Sequence, residues 1–166
     1  MKLPDMTRPV ADAIESRLTY TNGDSRTVFA SNVEVPFPEG RLIVSRTDLE
    51  GILTHANDAF VELSGWERDD LIGKPHHILR HPDMPKAAFK DLWDTVEAGK
   101  KWHGYVKNLR KDGSYYWVYA TAVPNIRQGK IAGYTSVRRK PSRTRIEALI
   151  PVYRDWLAQE KGQATP

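Results

Sequence analysis

The residues best suited to chemistry in this 166-residue chain crowd into one stretch, His76 to Trp93, which reads HHILRHPDMPKAAFKDLW. It holds three of the five histidines, together with Arg80, Asp83, Pro82 and Pro85. Proline fixes φ and turns the preceding residue away from helix. Arg80, His81 and Asp83 therefore stand at a rigid break between two short helices, which is more polar chemistry than packing alone requires. The plain alternative is a turn whose Asp83, a favoured N-cap, opens the following helix. His77 and His81, four residues apart, would share a helix face and offer imidazoles to a metal or a haem iron, although such loose spacing is weak as a metal signature.

Other chemistries lack their residues. Cysteine is absent, which removes disulfides, thiolate metal sites, cysteine nucleophiles and the cysteinyl-flavin adduct of blue-light receptors. There is no nucleophile elbow, phosphate loop, HExxH or paired metal motif, so hydrolase and NTPase chemistry have no site and no catalytic residue is assigned. No run of eighteen apolar residues spans a membrane, and the N-terminus lacks the apolar segment of a secretory signal. A cytoplasmic location is the default, with membrane association through a full-length receptor or a partner. The net charge of +4 is mild and scattered. Its one dense basic run, Arg138, Arg139, Lys140, Arg143 and Arg145, reads as a solvated linker, and no nucleic-acid partner is expected.

The elements that must position these residues follow in order. Residues 1–40 read as an N-terminal cap that packs on the domain or on a second copy, with a helix from Pro9 to Leu18, a turn at Asn22-Gly23-Asp24 and a strand from Thr27 to Val35. The domain proper, 41–140, opens with short strands at 42–46 and 52–55. Asn57 is placed to cap a helix over 58–63, and a second short helix covers 67–72. Phe89, Leu92, Trp93 and Val96 form one apolar stripe on a helix over 86–98. Strands at 102–110, 115–126 and 130–138, joined by two hairpin turns, complete an α+β domain: a five-stranded antiparallel sheet with short helices on one face. Residues 141–166 form a C-terminal output or dimerisation helix with Ile146, Leu149, Ile150, Tyr153 and Leu157 on one face, kinked or restarted at Pro151. The apolar faces of the helices at 9–18 and 146–157 predict a homodimer.

This order of elements resembles a PAS domain. The likeness is carried by Thr-His-Ala-Asn-Asp-Ala-Phe at 54–60, Ser-Gly-Trp at 64–66, Leu-Ile-Gly-Lys-Pro at 71–75, Trp-His-Gly at 102–104, Asn-Leu-Arg-Lys-Asp-Gly at 108–113, Tyr-Trp-Val at 116–118 and Gly-Tyr at 133–134. More narrowly, Arg-His-Pro-Asp-Met-Pro at 80–85 with Phe89 and Trp93 resembles the FAD-binding PAS domain of aerotaxis receptors, and the flavin PAS domain of the NifL redox sensor is a more distant relative. Residues 1–40 match nothing in that pattern.

The resemblance implies FAD held between sheet and helices, with its redox state as the signal. By position, it implies cofactor-binding roles for Ser45, Asn57, His76, Arg80, His81, Asp83, Trp93, Asn108 and Trp117. Arg80, His81 and Asp83 match residues needed for cofactor binding, Trp93 an aromatic near the cofactor, and Asn108 an amide facing the pyrimidine edge of the flavin. Ser45 and His76 match a serine and a buried glutamate near flavin N5 in the NifL relative, so a histidine replaces the acid here. The chemistry suits these roles. Arg80 is a planar fork for phosphate oxygens, Asp83 is suited to orienting Arg80 or His81 or to bonding a ribose hydroxyl, and Asn108 can both donate and accept. The plain readings are that Trp93 is core on a helical stripe and Asn108 an ordinary strand residue. The implied function is a non-enzymatic redox sensor passing a conformational change to a downstream signalling domain or chemoreceptor-type partner. A haem-binding gas sensor and a cofactor-free interaction module are the alternatives.

Overall fold

The computed structural model describes residues 1–163; positions 164–166 of the expected C-terminal segment lie outside the described residues. The N-terminal segment departs from expectation. Where apolar spacing predicts a helix over 9–18, the chain makes a turn and then a strand, β1 (Ile14–Thr19), paired antiparallel with β2 (Ser25–Ala30). Pairing across the tight turn at Asn22-Gly23-Asp24 decides the matter. Gly23 takes a left-handed φ of 90°, the Gly23 N–H donates to Tyr20 O at 3.0 Å, and the Tyr20 N–H donates to Asp24 O at 2.8 Å. Ile14, counted on the helical stripe, is left in solvent, while Leu18 is buried. The hairpin has a small core of its own, Met6, Ala13, Leu18, Tyr20, Val28 and Phe29, closed against Leu109.

The remaining elements are β3 (Ile43–Thr47), β4 (Leu53–Ala56), α1 (Asp58–Ser64), α2 (Arg68–Leu71), a 3-10 turn (His76–Leu79), α3 (Lys86–Glu97), β5 (Trp102–Leu109), β6 (Tyr115–Arg127), β7 (Lys130–Arg139) and α4 (Arg143–Gln163). The five strands from β3 to β7 make one antiparallel sheet in the order β4-β3-β7-β6-β5, with the helices from α1 to α3 on one face. Strand side chains alternate between faces. Register therefore sets Ser45 and Thr47 of β3, Tyr134, Ser136 and Arg138 of β7, Ala120 and Ala122 of β6, and Val106 and Asn108 of β5 on a single face, toward the helices. The main core fills the space between, built on Ile43, Leu53, Phe60, Leu71, Leu79, Val96 and Val118.

On the other face, Trp117 stacks with Tyr153 of α4, ring centroids 6.3 Å apart, and the Tyr153 hydroxyl donates to Tyr105 O at 2.8 Å. Helix α4 is continuous through the exposed Pro151 rather than broken by it. Ile146 and Tyr153 are buried, whereas Ile150, Val152 and Trp156 remain exposed.

Candidate functional site

Between α3 and the sheet lies a cavity of about 1030 Å3, at the top of the ~300–1,000 Å3 range of ligand pockets. Its floor is the sheet, where Ala120 and Ala122 leave room for a flat ring beside Val106. Its roof is the apolar stripe of α3: Phe89, Leu92, Trp93 and Val96. Trp93 meets Tyr134 edge-on at 5.4 Å, and it crosses Gly51 so closely that a Cβ there would lie 3.3 Å from its ring. Gly51, at a φ of 81°, is thus required both by its turn and by its neighbour.

The deep end is polar. Arg138, only 3% exposed, donates to Ser45 Oγ at 2.8 Å and to His76 Nε2 at 2.6 Å, with its guanidinium 5.0 Å from the Phe60 ring centroid. Since His76 Nε2 accepts, the imidazole is neutral with its proton on Nδ1. Burial first, and the adjacent Arg138 charge second, hold its pKa down to about 3. Burial draws Arg138 itself down to about 10, so it stays cationic at neutral pH. One of its nitrogens, Nη1, is buried with no partner. Asn108 is buried beside Tyr116, whose phenol burial pushes up to about 12 against the nearby arginines and a hydrogen bond from Asn108. An isolated antiparallel bridge ties Asn108 to Arg80 across the β5 edge.

The mouth is built differently. Arg80 donates from Nη1 to Thr19 O and from Nη2 to Met84 O, both at 3.3 Å, and it lies over Phe89, while its Nε is buried without a partner. The His77 ring stacks on Tyr20 with centroids 3.8 Å apart and planes 5° from parallel. Burial, then the charges of Arg26 and Arg80, hold His77 down to about 4. Lys86 and Lys90 stand on the rim.

Of the nine residues expected at the cofactor, Ser45, His76, Arg80, Trp93 and Asn108 line this cavity, and four do not. Asn57 caps α1: its Oδ1 accepts from Phe60 N at 3.0 Å and Val44 N at 3.1 Å, and its Nδ2 donates to Leu42 O. Trp117 lies on the opposite face of the sheet, because adjacent strand residues cannot share a face and Tyr116 takes the inner one. His81 is buried behind the wall, edge-on to Tyr115; its Nδ1 accepts the Asp83 N–H at 3.0 Å, which leaves the proton on Nε2, where it has no partner. Burial, then Lys107, hold His81 to about 3, so it makes no ion pair with Asp83. Asp83 pairs with Lys107 at 2.8 Å. Burial alone would raise its pKa, but the Lys107 hydrogen bond and the surrounding charges outweigh that and hold it low.

Three readings of the sequence are corrected. Asp83 does not cap α3. The helix opens at Pro85, and Glu160 of α4 accepts from Lys86 N at 3.1 Å and Ala87 N at 2.9 Å. His77 and His81 share no helix face, since the 3-10 turn ends at Leu79. Arg138 is not part of a solvated linker; strand alternation puts it inside with Tyr134 and Ser136, while Arg139 is exposed. The alternation along 134–138 was the available signal for Arg138. Tyr20 and Lys107 carried no local signal.

The geometry can be set beside known proteins. A family model described as PAS fold matches residues 53–138. The chain is 47% identical over 126 residues to the aerotaxis receptor of Escherichia coli, covering 76% of this chain and 25% of that protein. It is 26% identical over 131 residues to the nitrogen fixation regulatory protein of Klebsiella pneumoniae, covering 78% and 25%. The chain thus spans about a quarter of the length of these curated relatives. A crystal structure of a PAS domain from Colwellia psychrerythraea superposes with a TM-score of 0.56 at 25% identity, covering 61% of this chain and 87% of that one.

Proposed function

The chain belongs to the PAS family, whose members are signalling modules rather than enzymes, and from that premise we propose that it is a flavin redox sensor that binds FAD in the cavity under α3. One observation carries the reading: a cavity roofed by the apolar stripe of α3 ends in a buried guanidinium, Arg138, with one unpartnered nitrogen and two neutral neighbours, Ser45 and His76. A buried cation without a counter-charge is costly, and an electron-rich ring edge offsets that cost. Similarity to an aerotaxis receptor supports the sensor role.

The residues present fit the group. Ala120 and Ala122 admit a planar ring, Phe89, Leu92 and Trp93 cover it, and Arg80 with Lys86 offers cations to a diphosphate. FAD, when bound, supplies a centre that reversibly takes up electrons and protons. Asn108, able to donate or accept, can follow either state of a ring edge, and its bridge to Arg80 links that edge to the segment leading into α3. His76, neutral with Nδ1–H, stands beside Ser45 and could carry a proton there. Asn57, His81 and Asp83 act at a distance in this reading by holding the walls, and Trp117 acts on the α4 side.

A conformational change would leave through α4, which touches the sheet through Tyr153 and α3 through Glu160. Its exposed Ile150, Val152 and Trp156 suit a second copy or a chemoreceptor-type partner. No helix among the described residues is long and apolar enough to cross a membrane.

The absorbance spectrum of the purified protein, with the mass of the cofactor released on denaturation, tests the proposal. Flavin bands and the mass of FAD are expected. A haem spectrum, or a preparation that takes up no flavin, would overturn it.

A further inference from the structure

The hairpin β1–β2 precedes the residues matched by the family model and yet reaches the cavity. Its base is pinned to the β5–β6 turn. Ser31 N donates to Gly113 O at 2.7 Å, and Gly113, at a φ of 86°, comes so close that a Cβ would meet Pro9 at 3.0 Å and Phe29 O at 3.2 Å. Its body packs on Leu109 of β5. Its tip, Tyr20-Thr21-Asn22, forms part of the cavity wall at the mouth, on the far side of Arg80 from the deep polar end.

Two contacts fix that tip in place: the parallel stack of Tyr20 on His77 and the Arg80–Thr19 hydrogen bond. The buried cations around it have no carboxylate in contact among the described residues. Arg26 of β2 is 1% exposed and Arg80 is 8% exposed. Each keeps a buried Nε without a partner, and neither makes an ion pair among the described residues. Asp5 acts on Arg26 and Glu160 on Arg80 only from beyond ion-pair distance, and Arg80, which lines the cavity, is a buried guanidinium whose cost an anionic ligand relieves. The cavity thus continues past the cation that would hold a phosphate, into a space bounded by an element with its own fold.

We propose that the tip of the N-terminal hairpin is a wall of the ligand site that recognises the nucleotide arm lying beyond Arg80, and so makes the site selective for a flavin dinucleotide over the mononucleotide. The proposal rests on the flavin reading above. Thr21 and Asn22 are exposed at the tip and face the arm, Arg80 meets the diphosphate, and Tyr20 is a positioning residue that acts through its stack on His77. The ring-binding half of the cavity, under α3, is independent of the hairpin, so a ligand lacking the second nucleotide would not register changes at the tip.

The test is titration of the full chain, stripped of cofactor, with FAD and with FMN, followed by flavin fluorescence. Wild type should bind FAD at least about tenfold more tightly than FMN, the scale of one stacking or diphosphate contact. Tyr20→Ala should bring the two affinities to near equality by weakening FAD alone, and Tyr20→Phe, which keeps the stack, should restore the preference. Because Tyr20 also belongs to the hairpin core, Thr21→Trp provides a second probe at an exposed position: it should weaken FAD and leave FMN unchanged without affecting the fold. An unchanged FAD-to-FMN ratio in Thr21→Trp, or an equal loss of both ligands, overturns the selectivity. Wild type binding FAD and FMN equally overturns it too while leaving the flavin reading intact, whereas wild type binding neither removes both.

Discussion

His76 and His77 are neighbours in sequence and belong to opposite ends of the site. His76 sits at the deep end, where its Nε2 accepts from Arg138 of β7. His77 sits at the mouth, beneath Tyr20 of the hairpin. Burial is the leading cause that keeps both neutral, but the second cause differs: Arg138 for His76, and Arg26 with Arg80 for His77. The deep end is assembled by the sheet from residues fixed by strand register. The mouth is assembled by an appended element that brings its own cations. A 3-10 turn makes this divergence possible, since its tight winding sends consecutive side chains to different sides. In the proposed reading the deep end would govern what the ring edge meets, and the mouth which ligand stays.

The largest expected effect separates the deep end's function from its stability. Arg138→Met keeps the bulk and removes a buried charge that lacks a counter-ion, so the cofactor-free protein should unfold in urea at an equal or higher midpoint. Flavin affinity should nevertheless fall about a hundredfold, ~3 kcal/mol, the worth of a charge-assisted contact. A midpoint that falls together with affinity would make Arg138 structural and collapse the distinction.

Acid should sharpen it next. A histidine held neutral in the fold but free to protonate at about 6.5 when unfolded gives the unfolded state more bound protons below that pH. Stability is therefore complete above about pH 6.5 and declines as pH falls toward about 3, by up to ~1.4 kcal/mol per unit for a fully buried group. His76 and His81, each held to about 3, act across that window. His76→Gln should remove about 2 kcal/mol of the loss between pH 6.5 and 5, above the range where carboxylates contribute. Chemical denaturation at several pH values measures it, and identical slopes in both proteins would show that His76 is not held neutral.

Asn108→Asp tests the edge that adjoins both ends. A carboxylate against an electron-rich reduced ring is disfavoured, by on the order of 1–2 kcal/mol for a buried unmatched group. The flavin midpoint potential should drop, or reduced cofactor should dissociate. Asn125→Asp should do neither, because Asn125 bonds Thr135 near the far end of β6. Equal potentials in wild type and Asn108→Asp would detach Asn108 from the flavin.

The sequence was most legible where structure is local. The α3 stripe, the Asn57 cap and the three long strands follow from periodicity and cap chemistry, and all three stand in the structure. Legibility failed where partners lie far apart along the chain. Arg138 looks like one of a basic run until β7 pairs with β3 and turns it onto Ser45. Residues 9–18 have helical spacing, but pairing across Asn22–Asp24 outweighs a short stripe, because a helix of that length is marginal on its own. The expected homodimer loses that face with it and rests on α4. Trp117 was drawn toward the cavity by its likeness to a family position, although alternation with Tyr116 already forbade it.

The smallest expected effect concerns the start of α3, where Asp83 is the plain alternative for a cap and the cap comes instead from a residue far along the chain. The first N–H groups of a helix need acceptors, and a carboxylate there also meets the positive end of the helix dipole. Glu160 meets both needs for Lys86 and Ala87, so the cap is also the tie between α4 and the mouth. Glu160→Ala should cost about 1 kcal/mol, the usual worth of a cap, and Glu160→Gln roughly half, since an amide oxygen still accepts but the charge is gone. Both should speed hydrogen exchange at the Lys86 and Ala87 amides and leave the deep end as it was, with the His76-dependent acid slope unchanged. Asp83→Asn should spare those two amides, because Asp83 bonds Lys107 and not the helix. Faster exchange in Asp83→Asn and none in Glu160→Ala would return the cap to Asp83 and sever α4 from the mouth.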